Sequence, residues 1–139
     1  MERKKIKAFI NTPGKTGLHV VPCTGFNFAH ARTIAENICL EILDMVPNIT
    51  TTEVSVSNRG NKLYLDPNQN DYADTVAAAY SVRPYKVPTV STPLEWKELK
   101  DTPDPTAFTI DTIPKRMSKR GDPFRYLRQE NCRKDYKNT

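Results

Sequence analysis

The sequence predicts an α+β fold in which one main helix packs on an antiparallel or mixed sheet. Two observations lead to this prediction. Apolar side chains recur every three or four positions over residues 28–45, which is the helical period. Short runs rich in β-branched residues lie on both sides of that segment, in the order strand, strand, helix, strand, strand, strand. We therefore expect one sheet with the helix covering one face.

Two short strands are expected before the helix, over Ile6–Ile10 and Leu18–Val21. In the loop between them, Gly14 and Gly17 let backbone N–H groups turn towards a ligand, and Lys15 adds positive charge. Such a loop can bind phosphate, although it lacks the Lys-Ser/Thr ending of a Walker A motif. A polar hairpin without a ligand is the alternative.

The helix is expected to begin after Asn27, a suitable N-cap, and to end before Pro47. Its apolar stripe is assigned to core packing and to no function. The stripe consists of Phe28, Ala31, Ala35, Ile38, Ile42 and Met45.

Three strands are expected after the helix. The runs Thr50–Val56 and Lys62–Leu65 are separated by a turn, so we expect an antiparallel hairpin. Asp74–Val82 is then expected to complete the sheet.

Prolines punctuate the last third of the chain. Thr92 and Pro93 suit the N-cap and first position of a short helix. An edge strand is expected at Phe108–Ile110 and a last helical turn at Ile113–Met117.

From Lys115 onward the sequence is strongly basic, with Phe124 and Tyr126 interleaved. We divide the chain into residues 1–117 and a basic tail, residues 118–139. Such a tail can follow a phosphate backbone, and a solvated terminus is the alternative. The net charge of +5 also fits a polyanionic partner such as nucleic acid.

No apolar run is long enough to span a bilayer, and Ile6–Ile10 is too short for a signal peptide. We therefore expect no membrane partner and a cytoplasmic location. The cysteines, Cys23, Cys39 and Cys132, lack metal-ligand spacing and are expected to be reduced thiols without assigned chemistry.

The stretch from Arg59 to Arg83 is the strongest candidate site. Asp66 follows a strand-like run, and a carboxylate is a hard oxygen ligand for Mg²⁺ or Mn²⁺. Arg59 and Arg83 bracket it, and guanidinium groups match phosphate oxygens. The alternative is a hairpin with surface charges. His19, where a strand begins, is by itself more typical of a structural hydrogen-bonding residue.

Four segments together resemble one family: PGKTGLHVV, TTEVSVSNRGNKLYLDPNQN, VAAAYSVRPYKVPTVSTPLEW and FTIDTIPKRM. They are similar to the polymerase domain of bacterial and archaeal DNA ligase D, which belongs to the archaeo-eukaryotic primase superfamily. The similarity covers residues 6–117. It implies the C-terminal part of the primase-polymerase (RRM-like) catalytic fold.

The resemblance implies a nucleotidyl transferase that extends DNA ends in non-homologous end joining, with NTP or dNTP as substrate and Mn²⁺ or Mg²⁺ as cofactor. Asp66 matches a metal ligand and is the catalytic candidate. His19 and Arg83 match residues that contact the triphosphate. Arg59 matches an arginine that reaches primer or nucleotide, and Gln69 and Asn70 match polar residues after the carboxylate. Lys15 is the remaining nucleotide-binding candidate. DNA, the ligase and a Ku-like end-binding protein are the implied partners.

The sequence departs from the family in its second motif, Thr-Ser-Gly-x-Lys-Gly-Leu-His. Pro13 stands at the serine position and Thr16 at the lysine position. Proline has neither a hydroxyl nor an N–H, so two triphosphate contacts are expected to be absent unless Lys15 or Thr12 replaces them.

No Asp-x-Asp motif precedes the second motif, although the family takes two of its three metal carboxylates from it. One carboxylate does not hold two metal ions, so we expect the chain to be inactive alone. A separate polypeptide with the N-terminal half of the polymerase would supply the others. Two alternatives remain: a non-catalytic DNA- or nucleotide-binding remnant, and a truncated product without a function of its own.

Overall fold

The computed structural model describes residues 7–22, 27–70, 73–101 and 103–128. The chain divides into two compact units. The first, which we call the sheet unit, comprises Met1–Gly25 and Ala77–Thr139. The second, the helix unit, is Phe26–Val76.

The sheet unit contains a three-stranded antiparallel sheet and a two-stranded antiparallel ladder. In the sheet, β1 lies between β2 and β7, and β5 pairs with β6 in the ladder. Two helices and two 3₁₀ turns complete the part of this unit that the structure describes. The strands and helices are β1 (Ala8–Thr12), β2 (His19–Pro22), β5 (Val82–Arg83), β6 (Thr89–Val90), β7 (Thr92–Leu94), α2 (Thr112–Arg120) and α3 (Arg125–Arg128), and the 3₁₀ turns are Trp96–Asp101 and Pro105–Ala107.

The core of the sheet unit forms where β1 meets β7. Ile10 and Leu94 stand opposite each other across the ladder, and both are buried with Val90. One step along, Thr12 faces Thr92, and the Thr92 N–H donates to Thr12 Oγ1 at 3.3 Å. Each apolar side chain buried in this way contributes about 1.5–3 kcal/mol.

A buried ion pair joins α2 to the 3₁₀ turn at Trp96–Asp101. The two terminal nitrogens of Arg116 donate to the two oxygens of Glu98 at 2.6 and 2.7 Å. Arg116 also donates to the Pro93 carbonyl at 3.2 Å. Burial alone raises the pKa of Glu98, but the bonds from Arg116 and from the Glu95 N–H outweigh it and hold that pKa below its usual value.

The helix unit contains α1 (Phe28–Met45), β3 (Thr50–Thr51) and β4 (Leu63–Tyr64), with 3₁₀ turns at Val56–Asn58 and Asn68–Asn70. The predicted helix bounds are confirmed. The His30 N–H donates to Asn27 Oδ1 at 3.0 Å, which is the expected N-cap. Val46, just before Pro47, leaves the helical conformation with φ −140°.

The α+β class is confirmed, but the strands within the described ranges form three small sheets rather than one. The predicted hairpin in the helix unit is wrong, because β3 and β4 pair in parallel, with Thr50 opposite Leu63. After Thr51 the chain leaves the ladder and passes through the turn at Val56–Asn58. It then re-enters in the same direction, which a tight hairpin turn cannot do.

Two further predictions of local structure are wrong. Asp74–Val82 is not a strand except at its end, where β5 begins, because Tyr80 has a φ of +65° that a strand residue does not adopt. Thr92 and Pro93 belong to β7 rather than to a helix start. Among the strands that the structure describes, β7 pairs with β1 alone, so it is an edge strand, where a proline without an N–H is tolerated.

The structure agrees better with the predicted edge strand and the predicted last helical turn. Thr109 forms a single bridge with Thr89 where an edge strand was predicted. Where a last helical turn was predicted, the structure has the longer helix α2. Among the described residues, no helix has the length and apolar character needed to cross a bilayer.

The assignment of the α1 stripe to the core is wrong. No described residue of α1 is buried, and Phe28, Ile38 and Met45 are exposed. Within the helix unit, α1 lies against β3 and the turn at Asn68–Asn70.

Candidate active site

In the sheet unit, the glycine-containing loop that joins β1 to β2 packs onto the ladder of β5 and β6. Gly14 is buried and has φ +89°. A Cβ at Gly14 would lie 2.9 Å from both Arg83 Cγ and Thr89 Oγ1, so only glycine fits. The Thr89 hydroxyl donates to the Gly14 carbonyl at 2.5 Å and fixes the loop in this position.

Arg83 lies at the end of β5, opposite Thr89, and its side chain passes beneath Gly14. Its Nε is buried and has no hydrogen-bond partner among the residues that the structure describes. A buried guanidinium N–H without an acceptor is costly, and an anionic oxygen would satisfy it. This is the strongest sign of a ligand site in the sheet unit.

Lys15 lies on this loop, and His19 directly follows it as the first residue of β2. The Lys15 side chain is exposed, and its Nζ is 5.5 Å from the centroid of the Tyr85 ring. His19 begins β2 opposite Asn11, whose amide donates to Ser91 Oγ at 2.7 Å. Lys15 thus lies on the glycine loop, His19 on the strand that follows it, and Arg83 on the ladder against which the loop packs.

In the helix unit, the Arg59 side chain interacts with residues that are close to it in the sequence. Its Nε and Nη2 donate to the carbonyls of Glu53 and Val54 at 2.7 and 2.6 Å. The guanidinium also lies over the Tyr64 ring, 3.7 Å from its centroid. These contacts hold the connection between β3 and β4, a structural role that sequence reasoning did not include.

Asp66 is exposed and follows β4 after one residue. Its Oδ1 accepts from the Asn68 N–H at 3.0 Å and from the Tyr64 hydroxyl at 3.4 Å. The carboxylate thereby caps the 3₁₀ turn that carries Gln69 and Asn70, and the Gln69 side chain is exposed.

Cys39 of α1 is an unpredicted neighbour of Asp66. Burial raises the pKa of the Cys39 thiol, and the nearby charge of Asp66 raises it further. Helical spacing alone could not have found this neighbour, because the two residues come from separate elements of the unit.

The predicted site residues are therefore divided between the units. Lys15, His19 and Arg83 belong to the sheet unit, and the remaining four belong to the helix unit: Arg59, Asp66, Gln69 and Asn70.

Metal chemistry of the two-ion type needs several carboxylates around the ions. Within the described ranges, no group of three or more His, Cys, Asp or Glu side chains is placed to hold a metal ion. Asp66, already bonded to the Asn68 N–H, offers one carboxylate. The described residues therefore do not fit a two-metal centre by themselves.

The predicted basic tail is only partly described. Residues 118–120 lie in α2, and the Arg116 side chain forms an ion pair with Glu98. Cys132, Arg133 and Lys134 lie outside the described residues, as does Cys23.

Comparisons with known proteins agree on one family. The family model for the LigD primase-polymerase domain matches residues 1–124. The bifunctional non-homologous end joining protein LigD of Bacillus subtilis is 33% identical over 122 residues, a match covering 86% of this chain and 20% of that protein. The multifunctional non-homologous end joining protein LigD of Mycolicibacterium smegmatis is 32% identical over 113 residues, covering 80% and 15%.

A solved structure is also similar. The polymerase domain of Mycobacterium tuberculosis ligase D, in complex with DNA, matches with a TM-score of 0.79 and 28% identity, covering 88% of this chain and 43% of that one. The chain thus spans a fifth or less of the two relatives described above and under half of the solved chain.

Proposed function

We propose, from the premise that this chain belongs to the LigD primase-polymerase domain family, that it forms part of a DNA repair polymerase that adds nucleotides to DNA ends in non-homologous end joining. The family predicted from the sequence motifs is confirmed by the match to the family model. Activity, substrates and partners are carried over here as proposals, because the chain spans only part of its relatives.

The observation that carries the proposal is the buried Nε of Arg83 beneath the glycine loop. In the proposed role, Arg83 binds the triphosphate of the incoming NTP or dNTP. Lys15, on the same loop, and His19, at the start of β2, contribute further contacts. The close packing of Gly14 on Thr89 and on the Cβ and Cγ of Arg83 restricts the aliphatic part of the Arg83 side chain before the nucleotide arrives, so less side-chain entropy is lost on binding.

The proposed Mn²⁺ or Mg²⁺ ions require carboxylates from outside the described residues. Asp66 is proposed as one metal ligand and catalytic residue, with Arg59, Gln69 and Asn70 as nucleotide-binding neighbours in the helix unit. A separate polypeptide with the N-terminal half of the polymerase domain would supply the other carboxylates. DNA is the proposed substrate, with ligase and a Ku-like protein as partners and the cytoplasm as location.

Binding of a nucleoside triphosphate to the full chain tests the proposal directly. Arg83→Ala should weaken binding roughly ten- to a hundredfold, because a charge-assisted hydrogen bond contributes about 1.5–3 kcal/mol. Isothermal titration calorimetry with dATP and ATP measures this loss. Lys100→Ala, an exposed cation in the same unit, is the matched control and should bind as the parent does. Equal affinities for the parent and Arg83→Ala would contradict the proposed site.

A second candidate function is a non-catalytic DNA- or nucleotide-binding remnant. It is favoured by Pro13 and Thr16 in the loop and by the absence of a metal-holding cluster among the described residues. Primer extension with Mn²⁺ separates the two functions. Extension that appears only when the missing half is added, and that is lost in Asp66→Ala, supports the polymerase. Nucleotide binding without extension under both conditions supports the remnant.

A further inference from the structure

The sheet unit has a groove of about 450 Å³ that shares no residue with the glycine loop or with Arg83. Its apolar wall consists of Phe9, Leu94, Trp96 and Pro123, and we call these four residues the aromatic groove. A concave, mostly apolar surface of this size with a few charged groups beside it is typical of a ligand site.

Trp96 is the one tryptophan of the sequence, and it is 55% exposed at this groove. Its Nε1–H donates to the Ala8 carbonyl at 2.8 Å, so β1 holds the polar end of the indole. Phe9, the next residue of β1, meets the Phe124 ring edge to face, with centroids 5.8 Å apart. Both rings of the groove are therefore positioned by contacts of one strand, and less conformational entropy is lost when a ligand binds.

The charged groups beside the groove leave a positive balance. Glu95 is the one carboxylate among the described residues that line it, and its Oε2 lies 2.9 Å from Lys97 Nζ and 3.8 Å from Arg120 Nη1. Glu98, the other carboxylate near Arg120, already forms the ion pair with Arg116. Two cations thus stand beside the single carboxylate of the groove.

Aromatic rings combined with cations suit one kind of ligand. Lys7 also lines the groove and adds a further cation, with its Nζ 5.7 Å from the centroid of the Phe9 ring. Unpaired nucleobases stack on aromatic side chains whatever their sequence, and neighbouring cations bind the phosphates of the strand. A proline-rich peptide also docks on aromatic grooves, but the cations would contribute nothing to its binding.

We propose that the aromatic groove binds an unpaired base of single-stranded DNA, stacked on Trp96, with Lys7, Lys97 and Arg120 beside the phosphates. The choice of DNA rests on the proposed function, to which the groove adds a binding site separate from the nucleotide-binding residues. Duplex DNA does not fit this site, because its bases are stacked on one another and offer no free face.

The fluorescence of Trp96 reports on the groove directly, because the sequence has no second tryptophan. Titration of the full chain with a single-stranded oligothymidylate of about twelve nucleotides should quench it, since a stacked base lies against the indole. A blunt duplex of the same length should leave it unchanged. Thymidine monophosphate, which lacks neighbouring phosphates, should need an at least about hundredfold higher concentration. Absence of quenching by the oligothymidylate, quenching by the duplex, or equal affinity for the monophosphate would each overturn the proposal.

The contribution of the ring is measured by the fluorescence anisotropy of a labelled oligothymidylate. Trp96→Ala should weaken binding about five- to a hundredfold, the effect of one stacked base, whereas Trp96→Phe should stay within about threefold of the parent. Ile110→Ala, at a position of the same unit that is also 55% exposed, is the matched control and should bind as the parent does. Equal affinities of Trp96→Ala and the parent would contradict the proposal.

Salt dependence separates stacking from a general loss of structure. The affinity of the parent should fall as the salt concentration rises, because the cations displace counterions from the strand. Trp96→Ala should keep the parental slope at a lower affinity, since the indole carries no charge. A flatter slope in Trp96→Ala would show that the substitution acts by displacing the cations, and the stacking role would be wrong.

Further outcomes distinguish this proposal from its alternatives. It is wrong if a polyproline peptide quenches Trp96 and the oligothymidylate does not, or if the groove is covered in a homodimer seen by sedimentation. If the oligothymidylate quenches the parent and Arg83→Ala alike while neither dATP nor ATP binds the chain, the groove stands and the proposed function fails. If dATP binds with the expected dependence on Arg83 but the oligothymidylate does not quench, the proposed function stands and the groove proposal fails.

Discussion

The two units of this chain differ in how many of their large apolar side chains are buried. The sheet unit buries Ile10, Val90 and Leu94, whereas the one buried residue among the described part of the helix unit is Thr50. Most of the large exposed hydrophobic side chains lie in the helix unit. They are Phe28, Ile38, Leu40, Met45, Val46, Ile49, Val54, Val56, Leu63 and Val76.

The two units also differ in what holds their loops in place. In the sheet unit a small core fixes the strands, and the strands fix the glycine loop over Arg83, where we propose that a triphosphate binds. In the helix unit, local contacts such as those of Arg59 and Asp66 set the loops, but among its described residues no buried apolar side chain supports α1 or the ladder of β3 and β4. We therefore infer that the helix unit gains much of its stability from a partner.

The largest expected effect is loss of the core of the sheet unit. Ile10→Ala should lower the free energy of unfolding by about 2–5 kcal/mol, because the residue is fully buried and leaves a cavity. Ile38→Ala, on exposed α1, should change it by less than about 1 kcal/mol. Urea unfolding followed by circular dichroism measures both. Similar losses in the two variants would remove the contrast between the units.

A smaller effect is expected at the Glu98–Arg116 pair. Because the pKa of Glu98 is lowered in the folded chain, the pair stabilises the fold above the ordinary range of a glutamate pKa. This stability is lost as the pH falls through the lowered pKa and the carboxylate takes up a proton. Glu98→Gln should therefore lower the melting temperature at neutral pH and flatten its decline in acid.

The matched control for this pH dependence is Asp44→Asn, an exposed carboxylate on α1. It should retain the parental decline in acid when melting temperatures are compared from neutral to acidic pH. An unchanged profile in Glu98→Gln would show that the ion pair does not set the acid stability of the sheet unit.

The smallest expected effect concerns the electrostatic influence of Asp66 on Cys39 in the helix unit. Burial and the Asp66 charge both raise the pKa of the Cys39 thiol, so removing the charge in Asp66→Asn should lower it and speed alkylation of Cys39. Peptide-resolved mass spectrometry after iodoacetamide treatment measures the rate, and Asp44→Asn is again the control. A rate unchanged by Asp66→Asn would place the carboxylate too far away to act.

Local signals in the sequence predicted several elements well. Asn27 and Pro47 marked the ends of α1, and the glycine loop was placed between the first two strands. The parallel pairing of β3 with β4 was not predictable, because it depends on a connection held by Arg59 and the Tyr64 ring rather than on strand periodicity. Likewise, the helical stripe of α1 indicates an apolar face, but periodicity does not say which polypeptide covers it.

The candidate site was predictable in its residue types and only partly in its geometry. The family motifs identified Arg83 and Asp66 by position. The packing of Gly14 on Arg83 and Thr89, by contrast, arises from strands that are distant in sequence, and no local pattern reports it. The ion pair between Arg116 and Glu98 was not predicted either, because the two residues are distant in sequence and the local pattern showed only a basic run.

Amide hydrogen exchange of the full chain, without any partner, tests the contrast between the units most directly. Protection should be greatest at Ile10 and Thr12 of β1, and the amides of α1 should exchange at least about tenfold faster, because little tertiary burial supports that helix. Amides of α1 that are as protected as those of β1 would contradict the account, since the helix unit would then be stable without a partner.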